Sequence, residues 1–190
     1  HALHAVKTGL EMLGDLERFN EEIAKEGVPA FGMGLGINTG DVIVGNMGSA
    51  QRFDYTCLGD TVNLASRLEG QSKPYHVKII IGPKTAEYVR DHYHVVELDC
   101  IAVKGKTEGV SIYTIVPNGS VKIPNMQTHQ TFLDYYRKGS WTEAISYANI
   151  LKKAFDGELK DYYDSMIERI EEYKANPPKN WDGVFRATSK

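Results

Sequence analysis

Phe31-Gly-Met-Gly-Leu-Gly-Ile37 alternates glycine with large apolar residues, and this feature constrains the fold most tightly. Successive side chains of a strand point to opposite faces, so a strand here has one bulky face and one nearly bare. A bare face has to be covered by something that packs very closely. In front of it, Leu3, Val6, Leu10, Leu13, Leu16 and Ile23 recur at spacings of three, four and seven, which is one face of an amphipathic helix ending near Gly27-Val28-Pro29. Glu17, Arg18, Glu21, Glu22 and Lys25 form its polar side. The helical periodicity is already running at His1, with no initiator methionine and no cap before it, which reads as a chain cut from something longer.

After the glycine strand, Asn38-Thr-Gly40 turns the chain into a strand from Asp41 to Gly45, and Gly45-Asn-Met-Gly-Ser49 turns it again into Arg52 to Leu58, an antiparallel meander. A helix is expected over 60–71, a buried strand over 77–82, a short helix from Pro83 to Asp91, and strands over 93–99 and 109–116. This order gives an α+β fold, an antiparallel-rich sheet with packed helices, as a first unit over 1–116. Residues 117–128 concentrate turn formers and read as a linker. A small all-α tail follows over 129–190. Phe132, Tyr135, Tyr136, Gly139, Trp141 and Ala144 open a helix pair with a weakly tetratricopeptide-like order, but no repeat follows at a period of about 34 residues. A plain helical cap explains it as well, and a protein partner for the tail is the other reading.

A formal net charge of −3 gives no global attraction to nucleic acid or anionic lipid, so a phosphate-bearing ligand must be held by a few placed groups. Cys57 and Cys100 are too few for a disulfide framework or a metal knuckle. No apolar run approaches the roughly 20 residues of a membrane-spanning helix.

The chemistry lies in Tyr55-Thr-Cys-Leu-Gly59-Asp60-Thr-Val-Asn63-Leu-Ala-Ser-Arg67-Leu-Glu69. A strand ends at Leu58, Gly59 allows the turn, and Asp60 can cap the helix. Asn63 and Arg67 then stand at i and i+4 on one face, with Val62, Ala65 and Leu68 offered to a core on the other. Pairing of Arg67 with Glu69 or another surface acid is the plainer alternative. In Val103-Lys104-Gly105-Lys106 two cations flank a glycine between strands, which suits phosphate oxygens but also a solvated loop tip.

Taken together, Gly36-Ile-Asn-Thr-Gly40, Val44-Gly-Asn-Met-Gly48, Tyr55 through Glu69 and Val103-Lys-Gly-Lys106 resemble the class III nucleotidyl (adenylate/guanylate) cyclase catalytic domain of bacterial type, over nearly all of residues 1–116. The resemblance implies an incomplete ferredoxin-like cyclase homology domain. It implies that Asn63 orients the substrate ribose, that Arg67 stabilises charge developing on the α-phosphate, and that Lys104 holds the terminal phosphates. Thr56 falls where the family places its purine-reading residue, and a hydroxyl can accept from the adenine amino group. Related guanylate cyclases often carry cysteine there, and Cys57 is one position off.

The family's metal-binding aspartates and purine-reading lysine lie upstream of this chain's first helix. Asp41 and Asp54 do not occupy matching positions, so no metal ligand is assigned here. The resemblance further implies Mg or Mn ions in the intact enzyme, ATP as substrate, a head-to-tail homodimer, and a cytoplasmic signal-output domain whose parent is anchored in the inner membrane. This chain alone is expected to be inactive. The competing readings are a guanylate cyclase and a non-catalytic cyclase-like module with a protein-binding tail.

Overall fold

The opening pattern forms helix α1 (Ala2–Ala24), which buries Ala2, Val6, Gly9 and Leu13. The structure, a computed structural model, describes residues 1–49, 52–102, 109–117 and 121–186. Strand β1 covers only Leu35–Ile37, shorter than the glycine alternation led us to expect. The reason is local. Asn20 on α1 takes both backbone groups of Phe31, its Nδ2 donating to the carbonyl at 2.9 Å and its Oδ1 accepting from the amide at 2.8 Å. Phe31 is therefore tied to α1, with its amide proton already donated.

Strands β2 (Ile43–Ser49) and β3 (Arg52–Leu58) pair antiparallel from Ile43 opposite Leu58 to Ser49 opposite Arg52. Residues 45–49, expected as a turn, are thus the second half of β2. The expected meander also lacks its first strand, because β1 pairs elsewhere. Helix α2 (Asp60–Gln71) follows, then strand β4 (Ile79–Ile81), helix α3 (Pro83–Val89), and strands β5 (His94–Ala102) and β6 (Gly109–Val116). The main sheet runs β1-β4-β6-β5, with β1 parallel to β4 and the other pairs antiparallel.

Helix α4 begins at Ile123, inside the stretch read as a linker, and runs to Arg137 with a proline in its first turn, where no hydrogen bond is lost. Helices α5 (Trp141–Leu151) and α6 (Lys160–Ala175) complete the tail. Ile79 and Ile81 face α1 and α3 in one apolar cluster with Val6, Leu13, Ala86 and Val89. Ile80 faces the other way, into a cluster that takes in Leu64 and Leu68 of α2, Val96, Leu98 and Ile112 of the sheet, and Phe132, Tyr136, Tyr162 and Met166 of the tail. Beyond α6 the chain returns to the sheet edge: Phe185 donates to the Cys100 carbonyl and accepts from the Ala102 amide, each at 2.8 Å. This pairing covers the outer edge of β5 at that point, an edge that would otherwise present unpaired backbone groups.

Candidate active site

The bare face of the glycine strand is covered by α2. A Cβ on Gly36 would collide with the Ala65 carbonyl and the Glu69 amide, and one on Gly34 with the Ser72 side chain. Helix α2 is also fixed at its start. Gly59 adopts φ 152°, a conformation that L side chains rarely take, and its carbonyl accepts from the Asn63 amide at 3.1 Å. The cap position belongs to Gly59 rather than, as expected, to Asp60, which is the first helical residue and places its charge at the helix's positive end. Asn38 reaches across from the loop after β1, donating from Nδ2 to the Thr61 carbonyl at 3.1 Å, and Thr39 bonds Thr85 of α3 at 2.7 Å between hydroxyl oxygens.

The inward face of α2 is Leu64 and Leu68, with Val62 and Ala65 half-buried, a rotation of the face read from periodicity. Asn63 and Arg67 are exposed and lie together one turn apart. Among the described residues Arg67 forms no ion pair, so the surface pairing with Glu69 is absent. Thr56 is exposed on β3 opposite Gly45, so no side chain on the partner position stands beside its hydroxyl. Strand alternation turns the neighbouring Cys57, opposite Val44, to the other face of the ribbon. Lys104 and the rest of Val103-Lys-Gly-Lys106 lie outside the described residues.

Asp41 and Asp54 are both exposed. Among the described residues no three His, Cys, Asp or Glu side chains gather in a way that could hold a metal ion. No residue of this chain is assigned to the Mg or Mn that the resemblance implies, an ion that one or two carboxylates and the substrate phosphates suffice to hold.

Sequence reasoning missed a buried polar centre next to α2. Asp99 is fully buried and receives hydrogen bonds from Tyr75 Oη at 2.6 Å, Arg169 Nη1 at 2.7 Å and the Cys100 amide at 2.8 Å. Burial pushes its carboxyl up, while the Arg169 guanidinium pulls it the other way. The signal was an acid inside the apolar run Leu98-Asp-Cys-Ile101. A register shift between Glu97 and Asp99 breaks the alternation, so that Leu98 and Asp99 are both buried.

Residues 1–117 match the family model of the adenylate and guanylate cyclase catalytic domain. The chain belongs to that family. The cyclase domain is 36% identical to adenylate cyclase 1 of Rhizobium meliloti over 116 residues, covering 61% of this chain and 17% of that protein. It is 34% identical to the terminal-differentiation-specific adenylate cyclase of Dictyostelium discoideum over 154 residues, 77% of this chain and 7% of that one. This second match is too long for residues 1–122 to supply, so it runs on into the helical tail. The chain thus spans a small part of the curated relatives it matches. Among solved structures it is similar to the adenylyl cyclase CyaB of P. aeruginosa, at 34% identity and a TM-score of 0.55 over 62% of this chain and 59% of that one. It is about as similar to the guanylyl cyclase Cya2, at 35% identity and a TM-score of 0.53 over 65% and 60%. Among the described residues no helix is long and apolar enough to cross a membrane.

Proposed function

We propose that this cyclase domain serves an adenylate cyclase, converting ATP to 3′,5′-cyclic AMP and pyrophosphate in a homodimer, as the output of a signalling protein. The reading is carried by Asn63 and Arg67, exposed together on a helix whose backbone is held against a glycine strand and by Asn38. Cyclisation needs the ribose 3′-oxygen in line with the α-phosphorus, and fixed donors where negative charge grows. Asn63 meets the first need by hydrogen-bonding the ribose. Arg67 meets the second, since a guanidinium presents a planar fork to two phosphoryl oxygens. Thr56 accepts from the adenine amino group, and Lys104 holds the terminal phosphates as a point charge. Cys57, on the opposite face of the ribbon from Thr56, favours adenine over guanine recognition. Val42, Ile43, Val44, Tyr55 and Leu58 are large apolar side chains left exposed around the ribbon, and a second copy is the natural cover for them.

The test is kinetic, on the full-length dimer. Arg67→Ala lowers turnover by about 10²–10⁴ with a much smaller change in KM, because its interaction is made mainly in the transition state. Lys104→Ala acts chiefly on KM, because terminal-phosphate binding is present in the ground state. Turnover of Arg67→Ala within a few-fold of the parent, or GTP outcompeting ATP, would refute the assignment.

A further inference from the structure

We infer that Arg169 of the tail is a positioning residue for the cyclase reaction, setting α2 through Tyr75 and Asp99 so that docking of the tail and alignment of the site are a single event. The inference rests on the roles proposed for Asn63 and Arg67. Arg169 lies on α6, far along the chain from the motifs, and its guanidinium meets groups from both stretches of the chain. Its Nη1 is 2.7 Å from Asp99 Oδ2, 3.3 Å from Tyr75 Oη and 3.4 Å from Tyr136 Oη. Its guanidinium carbon sits 3.7 Å from the ring centre of Phe185, the residue that pairs with the edge of β5.

Tyr75 is the link to the site. It is fully buried, its hydroxyl donates to the same Asp99 oxygen at 2.6 Å, and its amide donates to the carbonyl of Gln71, the last residue of α2, at 3.1 Å. Gln71 is four residues beyond Arg67, one helical turn. The amino-terminal end of α2 is held by Asn38 and Gly59; its carboxy-terminal end rests on Gly34 and Gly36 of the glycine strand and is in addition tied through Tyr75 to the tail. An apolar cluster of the same volume would fill the space and stabilise as well as a buried ion pair does. What directional donors add is a fixed position for Tyr75, and displacement of about 1 Å at a reacting group can cost on the order of 10²-fold in rate.

The experiment uses Tyr75→Phe and Arg169→Lys in the full-length homodimer, each alone and combined with Arg67→Ala, assayed well below the melting temperature of every variant. Each single replacement lowers kcat about tenfold or more with KM for ATP within about threefold. In the Arg67→Ala background the same replacements change kcat by less than about twofold, since the group they position is gone. A loss of the same factor in both backgrounds, or an unchanged kcat for Tyr75→Phe, overturns the inference. Tyr75→Phe keeps the ring and its packing, so the test stands even if Arg169→Lys folds poorly. Hydrogen exchange on the 190-residue chain gives a readout independent of catalysis: Tyr75→Phe speeds exchange at the end of α2 but not in α1 or α3, and unchanged protection in α2 counts against the coupling. If Arg67→Ala alone proved harmless, the reaction assignment would fall, while the exchange result would still decide whether the tail sets α2.

Discussion

Gly36 shows what a single residue contributes and how much of it the sequence discloses. Its alternation with Met33, Leu35 and Ile37 announced a close neighbour on the bare face but could not say which, because the partner, the backbone of Ala65 and Glu69, is distant in sequence. A methyl group there must push α2 outward, so Gly36→Ala should destabilise by about 1–3 kcal/mol, as overpacking does. Gly14 is the opposite case. It lies within α1 with open space where a Cβ would be, so Gly14→Ala should raise stability by about 0.5–1 kcal/mol through helix propensity. Urea titrations of the two variants check both signs, and Gly36→Ala should also lose turnover, because the helix it displaces carries Asn63 and Arg67. Asp99 marks the limit of this legibility. A β-bulge reverses which face a residue occupies, and nothing in His94-Val-Val-Glu-Leu-Asp-Cys predicts where the extra residue falls.

At the scale of elements, helices and the hydrophobic strands were readable because each carries its own period: α2 and β6 have the bounds that periodicity gave. Element pairing was not readable, since β1 seeks β4 across two intervening strands and a helix. The docking of α4 on β5 was equally hidden; it joins the Arg137–Glu97 ion pair, at 2.6 Å, to one buried histidine. His129 is buried, with Nε2 2.6 Å from the Glu97 carbonyl and Nδ1 2.8 Å from Tyr163 Oη. A carbonyl can only accept, so Nε2 carries the proton and Nδ1 accepts from the tyrosine, which leaves the neutral ring fully satisfied. Burial lowers its pKa from 6.5 to about 4, against weaker opposing pulls from the Glu97 carbonyl and carboxylate. The unfolded chain takes up this proton as pH falls through 6.5, and the folded one does not until about pH 4. Stability is therefore full above the upper value and is lost across that window, by about 3 kcal/mol at its lower end. His129→Gln keeps a donor and an acceptor but does not titrate, so its denaturation midpoint should fall less steeply than the parent's between pH 6.5 and 4. Parallel acid limbs for the two proteins would rule the histidine out.

Over the whole molecule, turn-rich composition at 117–128 separates two stretches of sequence, yet the apolar cluster does not divide there. Leu68, Leu98 and Ile112 share it with Phe132, Tyr136 and Met166, and the Arg169–Asp99 pair and the Phe185 bridge tie the same two stretches together with polar bonds. Removing the tail would leave Leu68, Leu98 and Ile112 without the cover of Phe132, Tyr136 and Met166, and would open Asp99 to water without its cation. Net stabilities of about 5–15 kcal/mol leave little room for the loss of so much shared core, so the sheet is not expected to survive without the helices. Cooperativity can be measured directly, because both tryptophans of the chain, Trp141 and Trp181, belong to the tail and pack edge to face at 5.4 Å between ring centres. Their fluorescence reports loss of tail structure, whereas far-ultraviolet circular dichroism reports all helices and strands together. If tail and sheet are one folding unit, the two signals trace a single urea transition with the same midpoint and slope. Arg169→Met, which leaves Asp99 unpaired, should shift both midpoints down together. A tryptophan transition that precedes the dichroism transition would instead mean that the tail comes away from a sheet able to stand alone, and the shared core would then be a contact between two units rather than the interior of one.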